Sequence, residues 1–314
     1  MSFTTVQDWV DDCRDMLLSG HVEERDVLTV ELTAGAGSFT VQYGTPGLVP
    51  GATVEIDSEL MYIHAVSSTT VTVARGYGGS SAAAHSNGAL LRVNPKFATY
   101  RIINALNADL RDLSSPLNGL YQMKTDTFTY QPNISGYDLA NVTDLIDVWN
   151  VTWDDPTVFE AEPQVDSWVL RRNRNTSTFS SGFALVLYQG ASTGQTVRVM
   201  YKAPFTEVSA VTDSLSTTGV PATAYDLPPL GAAMALMSTA PIRREFIDEQ
   251  WSSRRSDEVP PGAISASMRD LRARRADRIG AEAARLSTAY PDYATRRTPR
   301  ANKMGTHSYG YAPR

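Results

Sequence analysis

The sequence predicts an α+β protein: a helical core with two inserted antiparallel β domains, a small barrel or sandwich and a larger β-sandwich, and an extended C-terminal arm. Three observations predict it. Short runs that alternate apolar and polar residues, separated by Gly, Pro, Ser and Asn, cluster in two blocks, residues 25–94 and 119–208. Segments of helical period stand before, between and after these blocks. From Pro291 onward no period remains. The chain therefore divides into an N-terminal core helix (1–24), a small β module (25–94), a core helix (95–118), a β-sandwich insertion (119–208), C-terminal core helices (209–290) and a basic arm (291–314).

The first helix is announced by Thr4-x-x-Gln7, which has the form of a capping box. Val6, Trp9, Val10, Cys13, Met16 and Leu17 then repeat at 3.6-residue spacing, and Gly20 ends the run. Strands are expected at Val27–Thr33, Ser38–Tyr43, Ala52–Ile56, Met61–Val66, Thr70–Ala74 and Leu90–Val93. Pro95 opens the next helix, whose broad apolar face holds Phe97, Tyr100, Ile103, Leu106 and Leu110. Asn107, Asp109, Arg111 and Asp112 fall mostly off that face, and Ser114-Ser-Pro116 closes it.

In the second block, strands are expected at Thr127–Tyr130, Leu145–Trp149, Trp168–Arg171, Phe183–Tyr188 and Thr196–Tyr201. Helices follow: a small-residue helix at Pro228–Met237, a continuation at Arg243–Trp251, and a long Arg-rich helix from Ala263 to Thr288 after the Pro260-Pro-Gly262 break. The Thr/Arg/Tyr/Gly/Pro tail beyond it cannot build a core of its own, so order there requires another surface.

Composition is that of a globular chain, 42% hydrophobic and 20% charged over 314 residues. No apolar run reaches membrane-spanning length, so no membrane association is expected. The first residues lack the basic start and apolar stretch of a secretion signal, which predicts synthesis in the cytoplasm. The single cysteine, Cys13, lies in the apolar stripe of the first helix and reads as a small core residue. Charge is split: of 28 Lys and Arg and 34 Asp and Glu, 15 and 9 lie in Pro241–Arg314, leaving 13 basic and 25 acidic residues upstream. An acidic body with a basic C-terminal region suits an assembly subunit whose arm docks on an acidic neighbour or faces nucleic acid.

Catalytic and metal-binding patterns are absent from the sequence. His21, His64, His85 and His307 are not spaced as metal ligands, and no HExxH, Cys-His cluster, GxSxG elbow or P-loop occurs. Asp154-Asp155 precedes Pro156 and reads as a turn. No catalytic residue, cofactor or metal site is therefore assigned.

The most specific stretches are Gly51–Ile63 and Val71–Gly88. Their pattern, "ID-E-M", then "TVTV-RG--G", then "AAAH--G", resembles a small β module that recurs in virion proteins of tailed phages. In it Arg75 and His85 are expected to tie down a structural loop around Gly76 and Gly79 by hydrogen bonds. A second stretch, Val197–Phe205, Ala224–Pro228, Leu230–Met237 and Arg243-Arg244, resembles phage head-to-tail connector proteins. Arg269–Arg285 followed by Tyr290-Pro291 is similar to the basic C-terminal helix and arm of such proteins.

The resemblance implies a structural virion protein, not an enzyme: an adaptor that forms a twelve-subunit ring under the portal protein, joins it to a tail or stopper protein, and lines the DNA exit channel. It implies localisation at the head–tail interface of the virion and transient contact with genomic DNA. The portal-facing residues would be Tyr290, Tyr293, Arg296, Arg297, Arg300, Lys303, Tyr309 and Tyr311, charged and flat anchors suited to a protein interface. An acidic body fits a channel that must not trap phosphates. Two alternatives stand beside this reading. One is a tail, collar or baseplate subunit with carbohydrate-binding β domains, favoured if Trp149, Trp153 or Trp168 are exposed on one sheet face. The other is a glycan hydrolase, which needs two converging carboxylates in a cleft.

Overall fold

A computed structural model of the chain describes residues 3–18, 22–134, 136–142, 144–154, 162–165, 167–188, 193–239 and 263–291, the side chains of 263–267 excepted. The chain is α+β, with four helices and antiparallel sheets among the described residues. The expected helix at Arg243–Trp251, the Pro260 break, and the arm beyond Pro291 lie outside them. Two compact units are formed: Met1–Asn118 with Phe205–Glu282, and Gly119–Pro204 with Ala283–Arg314.

The first unit holds a six-stranded sheet built from β1 (Arg25–Val27), β2 (Ser38–Thr40), β3 (Thr53–Ile56), β4 (Glu59–Ser67), β5 (Thr70–Ala74) and β6 (Leu90–Val93). Its order is β1-β6-β3-β4-β5-β2, antiparallel throughout. The two edges meet: the Gln42 amide donates to the Val27 carbonyl, the Thr29 amide to that of Thr40, and Leu28 bridges Val41. The sheet thus curls into a half-barrel around Leu28, Phe39, Val54, Ile56, Met61, Ile63, Val71 and Leu91. These partner exchanges explain why the single strand expected at Val27–Thr33 is not formed. The chain pairs with β6 through Val27, crosses to β2 at Thr29, and leaves Val30 exposed before Leu32 bridges His85.

Helices α1 (Val6–Leu18), α2 (Thr99–Leu113) and α3 (Leu227–Thr239) pack on one another in the same unit. Helix α1 buries Val6, Trp9, Val10 and Cys13, and α2 buries Ile102, Ile103, Leu106, Leu110 and Leu113. Each fully buried Leu or Ile contributes roughly 1.5–3 kcal/mol. The cap of α1 is shifted by one residue from the expected box. Asp8, not Gln7, reaches back, accepting from the Thr4 and Thr5 amides at 2.7 and 2.8 Å, while Gln7 donates to Asp11. A carboxylate gains there from the amides and the positive helix end together, which holds Asp8 below its usual pKa.

In the second unit β7 (Gln122–Thr129), β12 (Thr196–Ala203) and β9 (Asp147–Trp153) form one three-stranded sheet, with β12 central. A second sheet joins β10 (Trp168–Arg171), β11 (Ala184–Leu187) and β8 (Tyr137–Asp138). Val148, Val151, Val197, Val199 and Tyr201 share one core with Leu185. Strand β8, not expected from sequence, is only a two-residue pairing with β11. Helix α4 (Ala263–Ala289) belongs to the first unit through Glu282 and to the second from Ala283.

Candidate functional site

The motif of the small β module converges on one carboxylate. Period-2 alternation places Glu59 on the face of Met61 and Ile63, and its side chain is 0% exposed. A charge there must be paired. Arg75, just after β5, donates Nε and Nη2 to the two Glu59 oxygens, each at 2.7 Å. Its other donors reach the carbonyls of Thr33, Ala36 and Ala83. The Gly76 and Ala83 amides also donate to Glu59, at 3.0 and 2.9 Å. The His85 ring lies between carboxylates, Nδ1 2.7 Å from Asp57 and Nε2 2.9 Å from Glu59.

Burial alone would raise the Glu59 pKa, but Arg75, the two amides and His85 outweigh it and bring it down to about 2. Burial likewise pushes His85 down, and its two carboxylate partners reverse that and leave it raised. The result is a satisfied knot. Every donor of Arg75 and both nitrogens of His85 point at protein oxygens, so neither side chain has a free group to act on a substrate. Gly76 and Gly79 take φ of +60° and +98°, and a Cβ on Gly76 would stand 3.2 Å from the Ser80 carbonyl. A side chain at Gly76 would be strained by conformation and would crowd that carbonyl.

Contacts to α1 and α2 fasten this module to the helices. Glu55 of β3, also fully buried, accepts from Arg14 of α1 at 2.5 Å and from the Thr99 hydroxyl and amide at the start of α2 at 2.7 and 2.5 Å. One carboxylate thus links three elements. Burial is the largest influence on Glu55 and leaves its pKa raised despite Arg14 and Thr99. The Tyr100 hydroxyl donates to the Gly78 carbonyl inside the glycine loop.

A further buried acid sits among the helices. Asp109, expected off the apolar face of α2, is only 7% exposed. It fits because Gly231 of α3 lies opposite, where a Cβ would overlap the carboxylate at 1.8 Å. Arg275 of α4 donates to Asp109 at 2.6 Å and to Asp112 at 2.8 Å. Burial dominates nonetheless and pushes Asp109 up to about 7. Further along α4, Arg278 clamps Asp226 with two 2.8 Å bonds, which depress the Asp226 pKa.

Of the residues expected to face a partner, only Tyr290 is described. Its ring packs edge-on against Trp149 of β9, centroids 5.5 Å apart, and the Trp149 indole donates to the Pro291 carbonyl at 3.2 Å. The root of the arm is therefore anchored on the second unit. Tyr293, Arg296, Arg297, Arg300, Lys303, Tyr309 and Tyr311 lie outside the described residues. Trp149, Trp153 and Trp168 do not form an open platform: all are partly buried, and Trp153 and Trp168 pack on the sandwich core. Cys13 is buried, which pushes its thiol up to about 12.

Sequence reasoning missed Glu59, Asp57, Glu55 and Asp109 as organising groups. For Glu59 a signal existed, since a carboxylate in phase with Met61 and Ile63 on a strand demands a cation across the sheet. Among the described residues no group of three or more His, Cys, Asp or Glu is arranged to hold a metal ion. No described helix is long and apolar enough to cross a membrane. No known family model and no curated protein matches the chain.

Proposed function

We propose that this chain is a structural virion protein of a tailed phage, the head-to-tail adaptor that joins the portal to the tail or stopper and lines the DNA exit channel. The observation that carries the reading is the knot around Glu59. The residues by which the module resembles phage virion proteins are Asp57, Glu59, Met61, Arg75, Gly76, Gly79 and His85. They hold a loop and a core, and the polar groups of Glu59, Arg75 and His85 are all engaged within it. A motif used wholly for rigidity suits a part that bears load by staying in shape.

In this reading α1, α2, α3 and α4 are the connector frame, and both β regions are insertions into it. The chain leaves the first unit after Asn118 and returns at Phe205, which supports that description of the sandwich. The subunit works in a ring, twelve copies by resemblance, made in the host cytoplasm and resident at the head–tail interface. The acidic excess of the first 240 residues suits a channel through which DNA passes without being held. The arm reaches the portal from its root at Tyr290.

Deleting Pro291–Arg314 is expected to leave a folded subunit that no longer joins portal-bearing heads to tails. The readout is complementation of adaptor-deficient particles, with negative-stain imaging of protein mixed with portal. Infectious particles formed by the truncated protein would overturn the assignment of the arm, and absence of any ring with portal by the full chain would overturn the adaptor itself.

A further inference from the structure

The small sheet of the second unit carries a cleft on its outward face. Along β11, Leu185 and Leu187 point into the core, so Ala184 and Val186 face the other way. There they line a cavity of about 460 Å³ together with Gly136, Phe179, Tyr188, Arg171 and Arg174. That volume falls in the range of small-ligand sites. The floor is small and apolar. Phe179 and Tyr188 supply ring surface, and Tyr188 is 52% exposed.

The two arginines are cations without an acid among the described residues. No carboxylate lines the cleft there. The Arg171 side chain has the Tyr188 hydroxyl near it, at 3.5 Å, and the Arg174 side chain makes no hydrogen bond or ion pair within the described residues. Elsewhere in this unit Lys124 and Arg198 are each paired with a carboxylate. The loop that brings Arg174 and Phe179 is preformed. Asp138 accepts from the amides and hydroxyls of Ser180 and Ser181 at 2.5–3.3 Å, and the Asn175 carbonyl accepts from the Thr178 and Phe179 amides. Little ordering is left to be done on binding.

We infer that this cleft binds a saccharide bearing a carboxylate. A guanidinium fork takes a carboxylate through two parallel bonds, and the ring faces take the apolar C–H face of a sugar. A nucleic acid is disfavoured. A nucleic acid needs a basic track along several successive phosphates, and among the described residues the cleft lining supplies two cations, Arg171 and Arg174. The inference does not rest on the adaptor reading.

The test is titration calorimetry of the full chain with digalacturonate, its neutral methyl ester, and a single-stranded thymidine oligonucleotide. Binding of digalacturonate with a Kd on the order of 1 mM is expected, weakened about tenfold by Arg174→Ala or Arg171→Gln. Arg101→Ala, in the first unit, is expected to leave it unchanged. Melting curves matched to the parent chain show that the variants remain folded. Equal binding of the ester, tighter binding of the oligonucleotide, no binding of digalacturonate, or binding unaffected in both folded variants would each overturn the inference.

Discussion

At the scale of single residues, two buried acids are set in opposite directions. Glu59 is depressed to about 2. Its contribution is complete above the ordinary 4.5 and is lost as pH falls toward 2. His85 is raised above 6.5, so its contribution is complete below that value and is lost as pH rises through the higher folded value. The β module is therefore expected to be firmest between these limits. Glu59→Gln leaves Arg75 buried against a neutral amide and should cost about 3 kcal/mol, read by denaturant unfolding at pH 6. A cost near zero would show that the knot is decoration. Asp109 behaves in reverse. Its folded pKa, about 7, lies above the ordinary 3.8, so the folded state holds the proton more tightly. Stability contributed by the proton is present at low pH and declines as pH rises from near 4 to near 7. Asp109→Asn should flatten that slope, by on the order of 2 kcal/mol across the window. The difference between variant and parent isolates Asp109 from Glu55, whose raised pKa acts in the same sense. An unchanged slope would assign it to other groups.

At the scale of elements, α2 and α3 approach closely because Gly231 leaves room for Asp109. Gly231→Ala should push the helices apart or expel the carboxylate, with a loss of about 2–3 kcal/mol. Gly280 offers the contrast. It lies inside α4, and nothing stands within 4 Å of where its Cβ would be. Gly280→Ala should therefore stabilise by about 1 kcal/mol through helix propensity alone. Thermal melts of the two variants, moving in opposite directions, check both statements. What was legible in the sequence at this scale follows from range. Helix α2 announces itself through local period, and Ile103, Leu106 and Leu110 are buried as spaced; it begins at Thr99 and not at Pro95, so Phe97 precedes it, and Phe97 and Tyr100 are only partly buried. Strands β3, β4 and β5 follow from local alternation and turn glycines. The break after Val27 was not legible, because it is set by Thr40 and Ala89. Nor was burial of Asp109, whose partner Arg275 is 166 residues away. Arg75 and His85, both legible in the motif, come together with Glu59, but the carboxylate that organises them emerges only from the strand pairing.

For the molecule as a whole, the chain departs from the first unit at Asn118 and re-enters it at Phe205. The ends of the excursion are held close on both sides: the Phe205 amide donates to the Ser114 hydroxyl at 3.0 Å, and Gln122 is paired with Ala203 at the ends of β7 and β12. Replacing Gly119–Pro204 by a short Gly/Ser linker therefore closes a small loop, and loop-closure entropy grows only slowly with length. The buried residues of the first unit, from Trp9 and Leu106 to Ile56, lie outside the excised segment. The excised chain is expected to unfold cooperatively, with its helices and half-barrel intact by circular dichroism. Should it lose cooperative unfolding, the sandwich would be a structural partner of the helices, and its description as an insertion would fail.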